Sequence, residues 1–147
     1  MVGEEDCFIV ITDGETVLTM ANSQEHKSRV EGDVGPNTGG LGAYSPDPVV
    51  TSEIEARIMQ EVIRPTLDGM NADGNPYLGF LYAGLMIMAD GTPRVIEFYC
   101  RMGDPETQPI MARLKSVLFV ICLSTLEGDL GERDAVWDTR AALGVVM

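Results

Sequence analysis

The sequence predicts an α+β protein in which an antiparallel sheet packs against helices. Two pairs of strand patterns are each joined by a tight-turn dipeptide. Asp13-Gly14 joins the strands over 7–12 and 16–20, and Asp90-Gly91 joins those over 79–88 and from 94 onward. These dipeptides tolerate the positive φ that hairpin turns require. Because strands and helices do not alternate regularly, the pattern is typical of a hairpin-based sheet rather than a parallel one.

The first helix is expected to begin near Ser52. The Ser52 hydroxyl and Glu55, three residues later, have the spacing of a capping box. Apolar residues then recur at helical spacing and define one buried stripe. Pro65 is expected to kink or end this helix, because proline lacks the backbone N–H that a helix interior uses.

A second helix is predicted from residue 109 to residue 127, with Gly128 as its C-cap. Residues 117–123 of this helix are apolar on nearly every side. That pattern indicates either burial between two layers or a surface that meets a partner.

Residues 21–50 show no periodicity and are rich in Gly, Pro, Asn and Ser. We therefore expect a loop of this length, which in a compact domain is usually functional or disordered. The run Gly39-Gly40-Leu41-Gly42 favours a functional loop, because glycine lets the backbone approach a ligand closely. A flexible surface loop is the alternative.

Composition excludes several classes of function. The net charge of −13 disfavours binding to nucleic acid or to anionic membranes, since both rely on Lys and Arg. The three cysteines form no C-x-x-C pair, which argues for reduced thiols rather than a disulfide scaffold or a zinc site. Residues 1–6 lack the pattern of a signal peptide, and the apolar run 117–123 is too short to span a bilayer. A soluble, cytoplasmic protein is expected.

Charged residues concentrate where the strand beginning at Arg94 ends. Strand alternation places Glu97, Tyr99 and Arg101 on one face, and a turn bearing Asp104 and Glu106 follows. Taken alone, this pattern fits either a functional site or the solvated end of a strand.

Four stretches of the chain resemble motifs of the phosphoribosylamine–glycine ligase family, an ATP-grasp family of purine synthesis. Residues 94–108 read RVIEFYCRMGDPETQ and are followed by PIMARLKS, residues 35–46 read GPNTGGLGAYSP, residues 24–27 read QEHK, and residues 137–147 read WDTRAALGVVM. The strings are long, occur in the order of the family and extend over nearly the whole chain.

The resemblance implies that residues 1–147 form the C-terminal lobe of an ATP-grasp fold, without the amino-terminal domain, the ATP lid or the terminal domain. The implied enzyme is a ligase that joins glycine to 5-phosphoribosylamine through a glycyl phosphate. Its implied cofactors are ATP and Mg²⁺ or Mn²⁺, and its partners are glycine, phosphoribosylamine and the missing domains of the same enzyme. Nucleic acid and membranes are not expected partners.

The resemblance also implies roles for individual residues. The catalytic set is Arg101, Asp104 and Glu106, the substrate- and nucleotide-binding set is Lys27, Asn37, Thr38, Gly39 and Gly40, and the metal set is Glu97 and Tyr99. Arg101 suits a forked contact with phosphate or carboxylate. Asp104 and Glu106 either receive the amino group of glycine or cap the following helix. Tyr99 stands where the family pattern has Asn, and a neutral phenol is a poor Mg²⁺ ligand.

Two alternatives remain open at this stage. The chain is either part of a working ligase or a non-catalytic module, a relic or split subunit that at most binds nucleotide or metal. An ATP-grasp ligase with a different acceptor is a third reading. It ranks lower, because the string over 35–46 is not generic to ATP-grasp proteins.

Overall fold

The computed structural model describes residues 3–30 and 34–147. Its strands are β1 Glu4–Thr12, β2 Val17–Thr19, β3 Gln24–Val30, β4 Val34–Ser45, β5 Gly79–Ile87, β6 Pro93–Tyr99 and β7 Ala142–Val145. Its α-helices are α1 Ser52–Ile58, α2 Arg64–Ala72, α3 Thr107–Arg113 and α4 Leu118–Glu127, with a π-helical turn Met59–Ile63 and a 3₁₀ turn Leu130–Glu132.

The strands form two antiparallel sheets. One has the order β2-β1-β5-β6 and the other the order β3-β4-β7. The sheets meet where β1 passes the start of β3, at a backbone bridge between Cys7 and Ser23. Both predicted hairpins, β1–β2 and β5–β6, are present. The predicted α+β class with antiparallel sheets is confirmed.

The pair β1–β5 lies at the centre of the fold. Its register runs without interruption from Glu4 opposite Ile87 to Thr12 opposite Gly79. Phe8 on one face packs into the core beneath α1 and α2, whereas Ile9 on the other face packs against α3 and α4. A continuous apolar run in β1 therefore serves two cores, which is the pattern of a strand buried on both faces.

The predicted loop over 21–50 is wrong for most of its length. β3 and β4 form an antiparallel pair there, and β4 also pairs with β7. Backbone hydrogen bonds hold these strands together without alternating apolar side chains, so hydrophobic periodicity could not reveal them. Residues 31–33 of the predicted loop, like residues 1 and 2 of the acidic start, lie outside the described residues.

The first helix begins at Ser52, as predicted, but its N-cap and its end differ from expectation. Its N-cap is Thr51 rather than Ser52, and the Thr51 hydroxyl accepts a hydrogen bond from the Ile54 N–H at 3.3 Å. Pro65 does not end the helix, which continues to Ala72. The π-helical turn ends at Ile63, two residues before Pro65. A wider turn there accommodates a residue that has no N–H and would crowd the carbonyl four positions earlier.

The predicted second helix is broken into α3 and α4. Leu114 ends α3 in an extended conformation and forms a bridge with Trp137, while the Lys115 N–H donates to the Val136 carbonyl at 2.8 Å. Gly128 is confirmed as the C-cap of α4, in the left-handed conformation that favours glycine.

Burial of residues 117–123 on every side is not observed. Ile121 is buried, but Phe119 is 72% exposed. In the described parts of the chain, no helix is both long and apolar enough to cross a bilayer.

A buried pair of carboxyl groups joins β1 to the segment that follows β4. Asp6 and Asp47 are both buried, and one oxygen of each, Oδ2, has no hydrogen-bond donor when both are charged. The other oxygens accept hydrogen bonds from the Cys7 N–H at 2.7 Å and the Val49 N–H at 2.8 Å. Burial first, and then the charge of Asp47, raises the pKa of Asp6 well above its usual value.

We expect Asp6→Asn to stabilise the protein at neutral pH. The folded state binds the Asp6 proton more tightly than the unfolded chain, so stability falls as the pH rises from about 3.9, the unfolded value, to the higher folded pKa. An amide supplies a permanent donor toward Asp47 without this loss, a gain of about 1–3 kcal/mol at pH 8. Urea unfolding at pH 5 and pH 8 measures this gain in the free energy of unfolding, with the exposed Asp68→Asn as control. A gain no larger at pH 8 than at pH 5 contradicts the prediction.

Candidate functional site

A cleft of about 350 Å³ lies where the β3–β4 pair and the end of β6 meet the turn before α3. It is lined by Glu25, Lys27, Asn37, Thr38, Gly39, Tyr82, Glu97, Tyr99, Arg101, Gly103, Asp104 and Glu106. Nine of the ten residues singled out from the sequence line this one cleft. The tenth, Gly40, does not line the cleft, but its Cα packs against the side chain of Glu25, which does. Their roles remain predictions, but stretches distant in sequence converge.

A bulge in β4 brings the glycine-rich segment into the cleft. Between the pairs His26–Gly42 and Ser28–Asn37, β3 advances two residues and β4 advances five. The extra residues of β4 leave the ladder there. The Thr38 hydroxyl donates to the Lys27 carbonyl at 2.8 Å and accepts from the Gly40 N–H at 3.2 Å. Thr38 therefore braces the bulge, since its hydroxyl proton is already donated.

Glu97, Tyr99 and Arg101 form a connected group at the end of β6. The Tyr99 hydroxyl donates to Glu97 Oε2 at 2.6 Å, and Arg101 Cζ lies 4.3 Å from the centre of the Tyr99 ring. The hydrogen bond to Glu97 raises the pKa of Tyr99, so the phenol is neutral. The predicted common face of these residues is observed for Glu97 and Tyr99. Arg101 lies beyond the strand and stacks on Tyr99.

Lys27 is surrounded by carboxylates. Its Nζ lies 2.7 Å from Glu5 Oε1, 3.3 Å from Glu25 Oε2 and 3.8 Å from Glu97 Oε1. Burial works against its charge, but the hydrogen bond to Glu5 and the charge of Glu25 outweigh this and raise the pKa of Lys27. The ammonium is therefore a fixed positive charge on the cleft wall.

Glu106 forms the buried floor of the cleft, whereas Asp104 is exposed. The Cys7 thiol and the Tyr82 hydroxyl both donate to Glu106 Oε1, at 2.8 Å and 3.0 Å. Burial raises the pKa of Cys7 and of Tyr82, so both keep the proton they donate. Glu106 occupies the N-cap position of α3 without a capping hydrogen bond from its side chain, so the capping alternative is wrong for this residue.

Sequence reasoning did not assign a role to three residues that line the cleft, Glu25, Tyr82 and Gly103, or to Cys7, which donates to Glu106. Ligand atoms of Cys7, Glu25 and Glu106 lie within 4.8 Å of one another. Burial, and then the charge of Glu106, raises the pKa of Glu25 to about 7. Glu25 lies inside the QEHK string, which was the available signal. Cys7 and Tyr82 lie within the apolar strands β1 and β5, where the sequence pattern predicts only core residues.

Comparisons with known proteins identify the class of protein to which this chain belongs. Residues 1–107 match the family described as "Phosphoribosylglycinamide synthetase, ATP-grasp (A) domain". A crystal structure of phosphoribosylamine–glycine ligase from Thermotoga maritima superposes with a TM-score of 0.80 at 32% identity, covering 99% of this chain and 36% of that one. The fold is thus that of an ATP-grasp protein.

Sequence relatives narrow this class to a family. Phosphoribosylamine–glycine ligases from Allochromatium vinosum and Ralstonia nicotianae are 61% and 60% identical over all 147 residues. The chain belongs to the phosphoribosylglycinamide synthetase family. It spans 34% and 35% of the length of these two relatives. The family implies the use of ATP together with a divalent metal.

We expect Gly40→Ala to destabilise the protein by about 1–3 kcal/mol, the range for a non-glycine residue held at positive φ. Gly40 has φ +107°, and an added Cβ would clash with Glu25 Oε1 and lie 2.9 Å from Pro105 Cδ. Gly39→Ala is the matched control, because a Cβ there meets nothing within 4 Å. Thermal unfolding measures both variants, and equal melting temperatures contradict the prediction.

One glutamate side chain is expected to titrate near pH 7. Carbon-13 NMR of glutamate-labelled protein should show a carboxyl resonance with a midpoint about 7, the value to which burial and Glu106 raise the pKa of Glu25. That resonance should be lost in Glu25→Gln and kept in Glu4→Gln, a change on the exposed start of β1. A spectrum in which every glutamate titrates below pH 5.5 contradicts the prediction.

Proposed function

We propose that this chain is the second ATP-grasp lobe of a phosphoribosylamine–glycine ligase. The reaction joins glycine to 5-phosphoribosylamine with cleavage of ATP. The observation that carries the proposal is the convergence of residues from the 24–27, 35–46 and 94–108 strings on one cleft. A cleft with fixed cations beside buried carboxylates suits substrates that carry both phosphate and amino groups.

The chemistry has two steps. A carboxylate oxygen of glycine attacks the γ-phosphorus of ATP, and the bond to the β-phosphate oxygen breaks, giving glycyl phosphate and ADP. The amine nitrogen of phosphoribosylamine then attacks the glycyl carbonyl carbon, phosphate leaves with the carbon–oxygen bond, and the nitrogen loses a proton. Both steps gain from fixed positive charge near phosphate oxygens, because negative charge shifts onto the leaving group.

The residues of this lobe have distinct parts in the proposal. Arg101, exposed above the Tyr99 ring, presents its guanidinium to phosphate or carboxylate, and Lys27 adds a second positive charge. Asp104 and Glu106 provide negative charge for the amino group of glycine. Backbone groups of Asn37 and Gly39 surround the substrates along the β4 bulge, and Gly40, whose N–H is donated to Thr38, shapes the bulge against Glu25. Thr38 acts through the backbone that it braces.

The metal implied by the family does not fit the donor set beside Glu97. The neighbours of that carboxylate are a phenol hydroxyl that donates to it and an ammonium group. Neither resembles the oxygen ligands that Mg²⁺ prefers. No step of the proposed reaction is therefore assigned to a metal at Glu97.

The same observation favours a second candidate function. A non-catalytic module, whether a relic or a split subunit, keeps the fold and the cleft but has lost the metal position. Such a module binds nucleotide weakly or not at all and contributes no chemistry.

Calorimetric titration with Mg-ATP, with and without glycine, separates the two candidates. A ligase lobe is expected to bind nucleotide saturably, and Arg101→Gln is expected to weaken binding about tenfold or more, the effect of losing a charge-assisted contact. Arg94→Gln, an exposed change at the other end of β6 with the same change in charge, should leave affinity unaltered. Absence of binding by the folded chain favours the non-catalytic module.

A further inference from the structure

Tyr99 is held in place on three sides. Its ring centre lies 5.4 Å from that of Tyr82, and the guanidinium of Arg101 covers the ring at 4.3 Å. Its hydroxyl donates to Glu97 Oε2. An aromatic ring with a tilted aromatic neighbour, a cation and a carboxylate acceptor is a built arrangement rather than a loosely accommodated side chain.

Groups of the chain itself supply both a hydrogen bond and a nearby positive charge to the Glu97 carboxylate. Tyr99 engages Oε2 at 2.6 Å, and Lys27 Nζ lies 3.8 Å from Oε1. Lys27 is anchored in turn by Glu5 at 2.7 Å. The positive charge that balances Glu97 therefore comes from an ammonium fixed by a second carboxylate.

A divalent cation at Glu97 would have to displace this arrangement. It would need the Tyr99 proton to turn away from Oε2, and it would lie close to the Lys27 ammonium, which repels it. The other carboxylates beside Lys27, those of Glu5 and Glu25, already hold that ammonium, at 2.7 Å and 3.3 Å. In the part of the chain that the structure describes, the cluster of three candidate metal ligands is Cys7, Glu25 and Glu106, which does not include Glu97.

We propose that Tyr99 and Lys27 form an internal lock on Glu97 that takes the place of a divalent cation in this chain. Glu97 acts as an anchor for Tyr99, and Tyr99 positions the guanidinium of Arg101 at the mouth of the cleft. Lys27 and Arg101 then carry the positive charge that the cleft offers to an anionic ligand. The inference concerns the cleft of the proposed function, but it depends only on the contacts of these four side chains.

Titration with Mn²⁺, followed by the electron paramagnetic resonance signal of the free ion in 150 mM KCl, tests the lock without any nucleotide. Glu97→Gln is expected to leave the wild-type Mn²⁺ isotherm unchanged. Tyr99→Asn is expected to create a site at least tenfold tighter, because the amide oxygen is a metal ligand and the hydroxyl is gone. Adding Glu97→Gln to Tyr99→Asn should abolish that site. Phe98→Asn, on the opposite face of β6, controls for a new amide on this strand.

Two outcomes overturn the lock. One is saturable Mn²⁺ binding by the wild type that Glu97→Gln removes, and the other is a folded Tyr99→Asn variant with no gain in Mn²⁺ affinity. The wild-type comparison keeps the proposal falsifiable if Tyr99→Asn fails to fold. Mn²⁺ binding that is insensitive to Glu97→Gln supports the lock, since the metal then lies elsewhere. Failure of Mg-ATP to bind would count against the proposed function and leave this result unaffected.

Discussion

The structure depends on one strand pair, β1–β5, which is buried on both faces. Because its register is continuous from Glu4 to Thr12, it fixes the position of everything attached to its edges. β6 pairs with β5 and places Glu97 and Tyr99, while the bridge from Cys7 to Ser23 places β3 and thereby Lys27. A shift of one residue would exchange the two cores and separate these charges, so the hydrophobic pattern also determines the geometry of the cleft.

Elements whose stability comes from local apolar pattern were predictable, and elements stabilised by distant partners were not. The hairpins β1–β2 and β5–β6 follow from alternating or continuous apolar runs that flank tight turns. The break between α3 and α4 instead depends on Arg113, a buried side chain that donates to the Asp138 and Arg140 carbonyls and to Ser45. Such pairing across the chain overrides the helical propensity of residues 114–117, and no short window of sequence contains it.

The candidate site shows the same division. Charged residues in long unusual strings were identified by resemblance, and the fold brings them to one cleft. The residues that orient them were missed because they lie in apolar strands: Tyr82 and Cys7 direct their protons to one oxygen of Glu106. Sequence reasoning assigns a tyrosine or cysteine in such a run to the core, and that assignment is correct, because both side chains are buried. The sequence pattern does not reveal that Glu106 accepts the hydrogen bonds of both side chains.

Charge sets a limit on what this lobe does by itself. The cleft is lined by four carboxylates, those of Glu25, Glu97, Asp104 and Glu106, against two cations, Lys27 and Arg101. Glu97 and Lys27 already compensate each other in part, and with a pKa of about 7 Glu25 is partly protonated at neutral pH. Arg101 therefore remains the principal positive group available to a polyphosphate. A triphosphate needs more positive charge than one guanidinium supplies, so this lobe is expected to bind nucleotide saturably but not tightly unless further cations come from outside these residues.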